Sequence, residues 1–476
     1  MKKICALCFS LLFLSPTSQA LNLNDYLNQV KLKNKLFLSL DASTEAASSR
    51  YEQANLELSP VLTASETYLD DKSLQQSFFG GTTHTQIRQS SLGFNKKFSS
   101  GTTAGIQASV QSANIEGNFL PAGAASFEQH TGTLALSLSQ SLWKDFFGRS
   151  TKLRWQREIS QQRSEKLSYD LKARQSLIEA EDVFWDLMYL QAELDLRRAS
   201  LERAKKIVGW VQRRAGNGIG DNADVLNAQS LVAVRELQLM NSADDLLAAQ
   251  KKLADEIELP QGEAVPHLEG SLEQARPLTS FVVGSSGRIL RMDAYLSVLN
   301  AEVTRINAEE ALEKVRPDLT VQGQYKTNGY DSTDPAAARR MTDSDHPVAS
   351  VGVNFSWLLD WESKNSLRDS ARKDALASSL KKEHSLRESE TSWSEINRRS
   401  TELGWKIHAA QNISHIQTAK AAAEREKFNK GRSITSNVIL AEQDAAEAEL
   451  SLTKLKAEHR KLESQGRLFF KVPEGT

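Results

Sequence analysis

The residue types that most often perform chemistry are present in the sequence but are not arranged for it. His408 and His415 lie seven residues apart on one face of a predicted helix, which is too wide for one metal ion without a third ligand. No Gly-x-Ser-x-Gly motif positions a serine nucleophile. Carboxylates mostly lie at helical spacing from a basic residue, as Glu302 does from Arg305, which indicates solvated ion pairs. We therefore predict no enzymatic activity, no metal site and no cofactor.

A glycine-rich segment, Gly216-x-Gly218-x-Gly220, is the second chemical candidate. No strand precedes it, and its spacing differs from the phosphate-binding Gly-x-Gly-x-x-Gly motif. It follows a long helical stretch, so it predicts a turn between two helices. Gly218 and its counterpart Gly431 are the expected positive-φ residues after the helix ends.

The composition narrows the class of protein. The chain has 476 residues, of which 25% are charged, and it lacks the repeated apolar runs of about 20 residues that a polytopic helical membrane protein requires. Its 59 basic and 60 acidic residues give a net charge of -1, which does not favour nucleic acid as a partner.

The first twenty residues have the pattern of a secretory signal peptide. Lys2 and Lys3 precede an apolar run, and Ser18-Gln19-Ala20 fits a cleavage site. Both cysteines of the chain lie inside this segment. The mature chain therefore has no cysteine for a disulfide, a thiolate metal site or a nucleophile.

Long stretches rich in Ala, Leu, Glu, Lys and Arg predict helices. A 4-3 spacing of apolar residues from Val183 to Val211 forms a heptad seam, typical of coiled-coil packing. The stretch 148–214 predicts a rod of roughly 100 Å. The shorter helical stretches, paired end to end, match the long ones in length. The predicted helices are 25–58, 148–214, 224–258, 288–315, 362–430 and 437–470.

Two other segments, 61–142 and 318–359, alternate apolar and polar residues with the period of a β-strand. Such a sheet suits a membrane β-barrel, although a half-buried soluble sheet gives the same alternation. Aromatic residues where strands meet helices, and polar loops at 70–83, 113–130 and 328–346 against a short turn at 98–102, favour the barrel. The predicted interfacial aromatics are Trp143, Phe146, Phe147, Trp357 and Trp361.

The two halves of the chain repeat one another. Pro60-Val61-Leu62-Thr63 matches Pro317-Asp318-Leu319-Thr320, and the segments after Gly218 and Gly431 also match. The predicted organisation is a signal peptide (1–20), a first repeat (21–258, strands 61–142, helical hairpin 148–258), a linker or equatorial segment (259–287), and a second repeat (288–470, strands 318–359, helical hairpin 362–470).

These features together resemble the TolC family of outer-membrane efflux proteins. The resemblance rests on the strand starts at Pro60 and Pro317, the strand end Leu138-Ser-Gln-Ser-Leu142, and the turns at Gly218 and Gly431. It implies an α+β membrane protein, a homotrimer whose outer-membrane β-barrel continues into a long periplasmic α-helical, coiled-coil barrel. The implied role is the exit duct of a tripartite efflux pump or a type I secretion system. The implied partners are outer-membrane lipid, a periplasmic adaptor (membrane fusion protein) and an inner-membrane transporter.

The family closes its periplasmic entrance with polar or ionic links at the helix tips, and this chain retains them in part. The acidic latch position falls on Asp224, but the latching tyrosine falls on Phe428, which lacks the hydroxyl. The latching arginine falls on Ser433, one place after Arg432, and the two acidic ring positions fall on Asn437 and Leu440. Our hypothesis is an Asp224–Arg432 pair in place of the family's link, and the alternative is that both are solvated tip residues. These positions do not support the family's own latch or a cation-selective acidic ring.

The first strand region is longer than the second and holds an extra hairpin at 84–113. Two more barrel strands would give six per chain, where the family's simplest members have four; a hairpin outside the membrane is the alternative. For the whole protein, the alternative to a passive duct in the outer membrane of a Gram-negative-type cell is a periplasmic coiled-coil adaptor or scaffold.

Overall fold

The computed structural model of the chain describes residues 21–77, 80–117, 126–218, 220–260, 262–263, 265–273, 276–284 and 287–472. The predicted signal peptide lies outside the described residues. The α-helices are α1 (Leu23–Lys33), α2 (Lys35–Arg50), α3 (Arg149–Gly216), α4 (Asn222–Glu256), α5 (Met292–Lys314), α6 (Asp334–Arg340), α7 (Trp361–Asn429) and α8 (Thr435–Ser464). The strands are β1 (Val61–Asp71), β2 (Gln75–Ser77), β3 (Gly80–Lys97), β4 (Thr102–Gly117), β5 (Phe127–Ser141), β6 (Arg288–Arg291), β7 (Asp318–Asp331), β8 (Pro347–Ser356) and β9 (Phe469–Val472).

The chain divides into two compact units. The sheet unit comprises residues 45–166 and 296–383, and the helical unit comprises residues 21–44, 167–295 and 384–472. Helices α3 and α7 contribute residues to both.

The sheet unit is built on one antiparallel sheet. Its strand order is β1-β3-β4-β5-β7-β8, and the short β2 also pairs with β3. The predicted extra hairpin is β3–β4, which lies inside this sheet between β1 and β5. Within the described residues, the sheet therefore has six long strands, and β1 and β8 are its edges.

The helices α3 and α5 pack together in the sheet unit through charged side chains. Glu310 and Glu313 on α5 are each 2% exposed. Glu313 Oε1 lies 3.0 Å from Arg149 Nε, and Arg157 donates to Glu310. Buried carboxylates require such partners because desolvating an unpaired charge is costly.

The helical unit has apolar cores along its helices. One core surrounds Phe184 and Trp185 of α3, with Tyr26 of α1 and Leu253 of α4. The predicted heptad seam is buried at Leu187, Leu194, Leu201 and Val211.

Three of the predicted helices, 25–58, 288–315 and 437–470, differ from the expectation. The predicted helix 25–58 is interrupted at Asn34, which has an extended conformation. The Asn34 side chain accepts from Phe37 N (3.0 Å), as an N-cap of α2 does, and donates to Glu256 O (3.0 Å) at the end of α4. The same stretch ends in a 3-10 helix, Tyr51–Leu58.

The other two boundaries change because β6 pairs with β9. Residues 288–291, expected in a helix, form β6, and residues 469–472 form β9. Leu290, Phe469 and Val472 are buried, so the pairing covers apolar side chains that a helix would leave at its frayed ends.

The expected loops are also shorter than the sequence suggests. Strand β4 runs to Gly117 and β5 begins at Phe127, so the interval 113–130 is mostly strand in its described part. The interval 328–346 contains the end of β7 and the helix α6. Ala337 of α6 is fully buried against the sheet, and a Cβ at Gly132 of β5 would meet Ala337 O at 2.2 Å.

Within the part of the chain that the structure describes, none of the helices combines the length and the hydropathy that crossing a bilayer requires.

Candidate functional site

One face of the sheet is apolar across all six long strands. The register aligns one residue from each strand, and most of these side chains are exposed. The aligned row is Leu62, Phe94, Ile106, Leu136, Tyr325 and Ala349. Val351 of β8 continues this face and is 80% exposed. An apolar surface this extensive is typical of contact with lipid or with another protein.

The opposite face is polar. Ser65, Ser91, Ser109 and Thr133 share one row, which continues to Asn328. The Ser65 and Ser91 hydroxyls are 2.7 Å apart, and Thr133 Oγ1 donates to Asn328 Oδ1 (3.0 Å). This face suits contact with water.

The apolar face has a limited extent along the strands. From Leu134 to Leu142 it covers roughly 27 Å along the chain, which a tilt of about 40° reduces to roughly 20 Å of height. That is near the ~25 Å apolar band of outer-membrane barrels. Charged pairs follow at the end away from the long helices, where Arg88 Nε donates to Glu66 Oε1 (2.7 Å).

Exposed aromatic side chains end the apolar face near the long helices. Trp143, Phe146 and Phe147 follow β5, and Trp357 and Trp361 follow β8. All five are at least 40% exposed. The Trp357 and Trp361 rings meet edge to face with centroids 5.2 Å apart, and so do Phe146 and Phe147 at 4.7 Å. Whether these aromatics lie at a membrane interface stays a prediction.

Lys364 is a part of this aromatic group that the sequence analysis missed. Its Nζ lies 4.8 Å from the Trp357 ring centroid and 5.0 Å from that of Trp361, and the residue is 2% exposed. Such cation–π contacts stabilise a buried ammonium group. The sequence could have indicated this contact, because Lys364 lies three residues after Trp361 and therefore on the same helical face.

The turn of the extra hairpin packs on the link between β5 and α3. Gly148 has φ of 77°, and a Cβ there would lie 1.8 Å from Ser99 O, so both its conformation and its space require glycine. Gln140 donates to Ser100 O (3.2 Å), and Lys97 pairs with Glu57 (2.8 Å). The hairpin turn is therefore held by contacts with the end of β5 and the start of α3 on one side, and with the segment before β1 on the other.

The two helix tips have the same backbone geometry. Gly218 and Gly431 both have φ of 73°, and among the described residues, apart from the chain neighbours, no atom lies within 4 Å of a Cβ built on either residue. Gly218 N donates to Ala215 O (3.0 Å), as Gly431 N does to Phe428 O (2.9 Å). Conformation, and not space, therefore explains glycine at these positions.

The structure gives Phe428 a different neighbourhood from the one expected of a latch. Phe428 is 2% exposed and packs with Ile207, Val211 and Val438 in an apolar cluster that joins the two hairpin tips. The Arg214 guanidinium carbon lies 4.6 Å from the Phe428 ring centroid.

Arg214 is the tip residue that the sequence analysis missed. Besides its contact with Phe428, it donates through Nη1 to Ser433 O (3.3 Å). Ser433 Oγ in turn donates to Glu424 Oε2 (2.8 Å). The sequence could have indicated a role for Arg214, because it is a basic residue in the last turn of α3, where the helix dipole favours a cation.

The other residues predicted for the tips do not contact one another as expected within one chain. No ion pair joins Asp224 to Arg432 among the described residues, and Arg432 and Asn437 are exposed. Asp224 lies in the first turn of α4, where the helix dipole favours an acidic residue. The expected Asp224–Arg432 pair stays a prediction.

A buried ionic cluster lies in the middle of the helical unit. Arg460 donates to Glu463 Oε2 (2.8 Å), and its guanidinium carbon lies 4.2 Å from the Trp185 ring centroid. Glu463 Oε1 accepts from Arg276 N (3.0 Å), which ties the predicted linker 259–287 to α8. Burial raises the pKa of Glu463 to about 7 and that of Asp182 to about 6.

An exposed heptad seam follows α4. Leu226, Ala233, Met240 and Leu247 recur every seven residues, and Leu237 fills an intermediate position. All of them are exposed within one chain. A heptad seam normally packs on another helix, so this face fits an intermolecular contact.

Solved structures share this fold over most of the chain. The outer membrane protein VceC from Vibrio cholerae matches 93% of this chain over 94% of its own, with a TM-score of 0.65 and 13% identity. The outer-membrane channel OprN matches 94% of this chain over 89% of its own (TM-score 0.64, 15% identity). CusC, whose structures describe transmembrane channel formation, matches 94% of this chain over 90% of its own (TM-score 0.64, 10% identity).

Sequence comparisons gave no match, either with protein-family profiles or with curated proteins. The similarity to known proteins therefore rests on the structural comparison alone. The chain has the fold of the TolC-family outer-membrane channels, and at the level of fold the resemblance drawn from the sequence is confirmed.

Proposed function

We propose that the chain is a passive exit duct in the outer membrane of a Gram-negative-type cell. The observation that carries the proposal is the sheet of six long strands with an exposed apolar band on one face, in a chain that has the fold of outer-membrane channels. The apolar face contacts lipid, and the polar face lines water. The helical unit extends into the periplasm.

The duct functions as a homotrimer. Two features support assembly from copies: the unpaired edges of the sheet and the exposed heptad seam of α4. Its further partners are a periplasmic adaptor and an inner-membrane transporter, as in a tripartite efflux pump or a type I secretion system. The transporter supplies the energy, because the duct itself has no predicted catalytic or cofactor site.

Purified protein tests the proposal directly. We expect a trimer in detergent that inserts into planar bilayers and conducts ions. A soluble monomer or dimer without bilayer activity would contradict the proposal, and it would favour the periplasmic adaptor or scaffold instead.

The periplasmic tips form the gate of the duct. Because Asp224 and Arg432 do not pair within the chain, their pairing is expected between neighbouring copies. Arg432→Ala should then raise the single-channel conductance. Lys430→Ala removes the same charge from the same turn and is the matched control. Equal conductance in Arg432→Ala and wild type would exclude this pair from the gate.

A further inference from the structure

Each of the two edge strands has a pairing partner on one side only among the described residues. Within the described chain, β1 pairs only with β3, and β8 pairs only with β7. Every residue of β8 is exposed, and so are the first ten of the eleven residues of β1. Open strand edges are not stable in lipid, because their backbone N–H and C=O groups lack partners there.

These edges are complementary to one another in a second copy. All neighbours in the sheet are antiparallel and the number of long strands is even, so β8 runs antiparallel to β1. Side-chain direction also matches, since Val351 and Val353 of β8 share the apolar face with Leu62 of β1. Joining β8 of one copy to β1 of the next therefore continues both faces without a break.

One chain cannot close the sheet alone. A barrel of about eight strands already has an interior filled by side chains, so six strands leave no room for a hydrated polar face. The extra hairpin cannot be left outside either. It lies between β1 and β5, and Gly148, Gln140 and Glu57 hold its turn in place.

We infer that three copies close an 18-stranded barrel through β8–β1 contacts, which makes the outer-membrane part of this duct wider than one built from four strands per chain. This inference rests on the proposed homotrimeric channel. Eighteen strands about 4.8 Å apart and tilted by about 40° enclose a backbone cylinder about 36 Å across, against about 24 Å for twelve strands. Barrels of 16–18 strands enclose an aqueous channel.

Cysteine cross-linking tests the edge contact, since the mature chain is expected to have no native cysteine. Ser65 of β1 and Gly352 of β8 lie on the polar face at similar distances from the ends of their strands nearest the long helices. Ser65→Cys is therefore combined in turn with Ser350→Cys, Gly352→Cys and Asn354→Cys. Oxidation of the trimer should yield covalent trimers that a reductant dissociates.

The matched control combines Ser65→Cys with Ser109→Cys. Ser109 lies on the same polar face but on β4, two strands from β1 and away from both edges, so no cross-link should form. Electron microscopy of the same protein should show a barrel wall about 36 Å across.

The outcomes separate this inference from the proposed function. A conducting trimer that forms no cross-link at any of the three positions, or whose wall is about 24 Å across, would overturn the 18-stranded barrel and leave the duct intact. Cross-linked rings of two or four copies would also overturn it. A soluble monomer would overturn both.

Discussion

At the scale of the residue, Arg214 makes two contacts at the helix tips. It contacts the Phe428 ring and Ser433 O, and thereby connects the end of α3 with the turn after α7. Phe428, on which the latching tyrosine of the resemblance is expected to fall, makes an aromatic–arginine contact that requires no hydroxyl.

Replacing Arg214 should loosen the tips. We expect Arg214→Ala to raise the single-channel conductance several-fold, because it removes a cation–π contact of about 1–2 kcal/mol and a hydrogen bond. Arg213→Ala is the control, because Arg213 is the neighbouring exposed arginine. If both variants conduct like the wild type, Arg214 does not restrain the gate.

Glu463 should make the stability of the helical unit depend on pH. Burial raises its pKa in the folded protein to about 7, above the ordinary value of 4.5. The folded state therefore binds the proton more tightly than the unfolded state, and its stability falls as pH rises from about 4.5 through about 7. One pKa unit corresponds to about 1.4 kcal/mol, so the loss is at most about 3–4 kcal/mol.

Thermal unfolding at pH 5, 7 and 8 measures this effect. Glu463→Gln should flatten the dependence, whereas Glu458→Gln, at an exposed position on the same helix, should leave it unchanged. An unaltered slope in Glu463→Gln would assign the pH dependence to other groups. Asp182, with its pKa raised to about 6, is the next candidate.

At the scale of elements, the sheet is defined by the difference between its two faces. Adjacent residues of one strand are expected to face different surroundings. Leu136 lies on the apolar face, which is expected to face lipid, and Ser137 lies on the polar face, which is expected to face water. The same face contrast extends to β3 and β4, so the extra hairpin has the same expected environment as the other strands.

A charge on each face tests this assignment. We expect Leu136→Arg to reduce insertion and trimer yield in the outer-membrane fraction, because a basic side chain facing lipid costs about 2–4 kcal/mol near the bilayer midplane. Ser137→Arg should insert normally, since its side chain faces water. Equal yields from the two variants would contradict the membrane orientation of the sheet.

The elements also show what alternation and periodicity predict well. The long helices α3 and α7 begin and end within two residues of the predicted stretches 148–214 and 362–430, since long stretches rich in Ala, Leu, Glu, Lys and Arg favour helix throughout. The break at Asn34 and the β6–β9 pair were not predicted, because both depend on partners far away in sequence. Asn34 contacts Glu256, and Arg288 pairs with Val472.

At the scale of the whole molecule, assembly from copies is the expected consequence of the open sheet edges and the exposed heptad seam. We expect Met240→Glu to weaken the trimer, because it places a charge in the α4 seam and forgoes burial of a methionine, about 1.5–3 kcal/mol per interface. The adjacent Asn241→Glu adds the same charge outside the seam. Native mass measurements over a dilution series should show dissociation of the first variant only; identical behaviour would remove the α4 seam from the interface.

The sequence by itself determined the classes of element, their order and the direction of their apolar faces. These properties follow from local periodicity: a seam every seven residues, or an alternation every two, leaves one face apolar whichever partner covers it.

Only the tertiary structure decided which distant residues meet. It placed the β3–β4 hairpin inside the sheet, packed Phe428 with Arg214, and buried Glu463 beside Arg460. Strand order and buried ion pairs arise from long-range pairing, for which local patterns permit several alternatives of similar quality. The count of six long strands per chain, and the barrel width inferred from it, therefore required the fold itself.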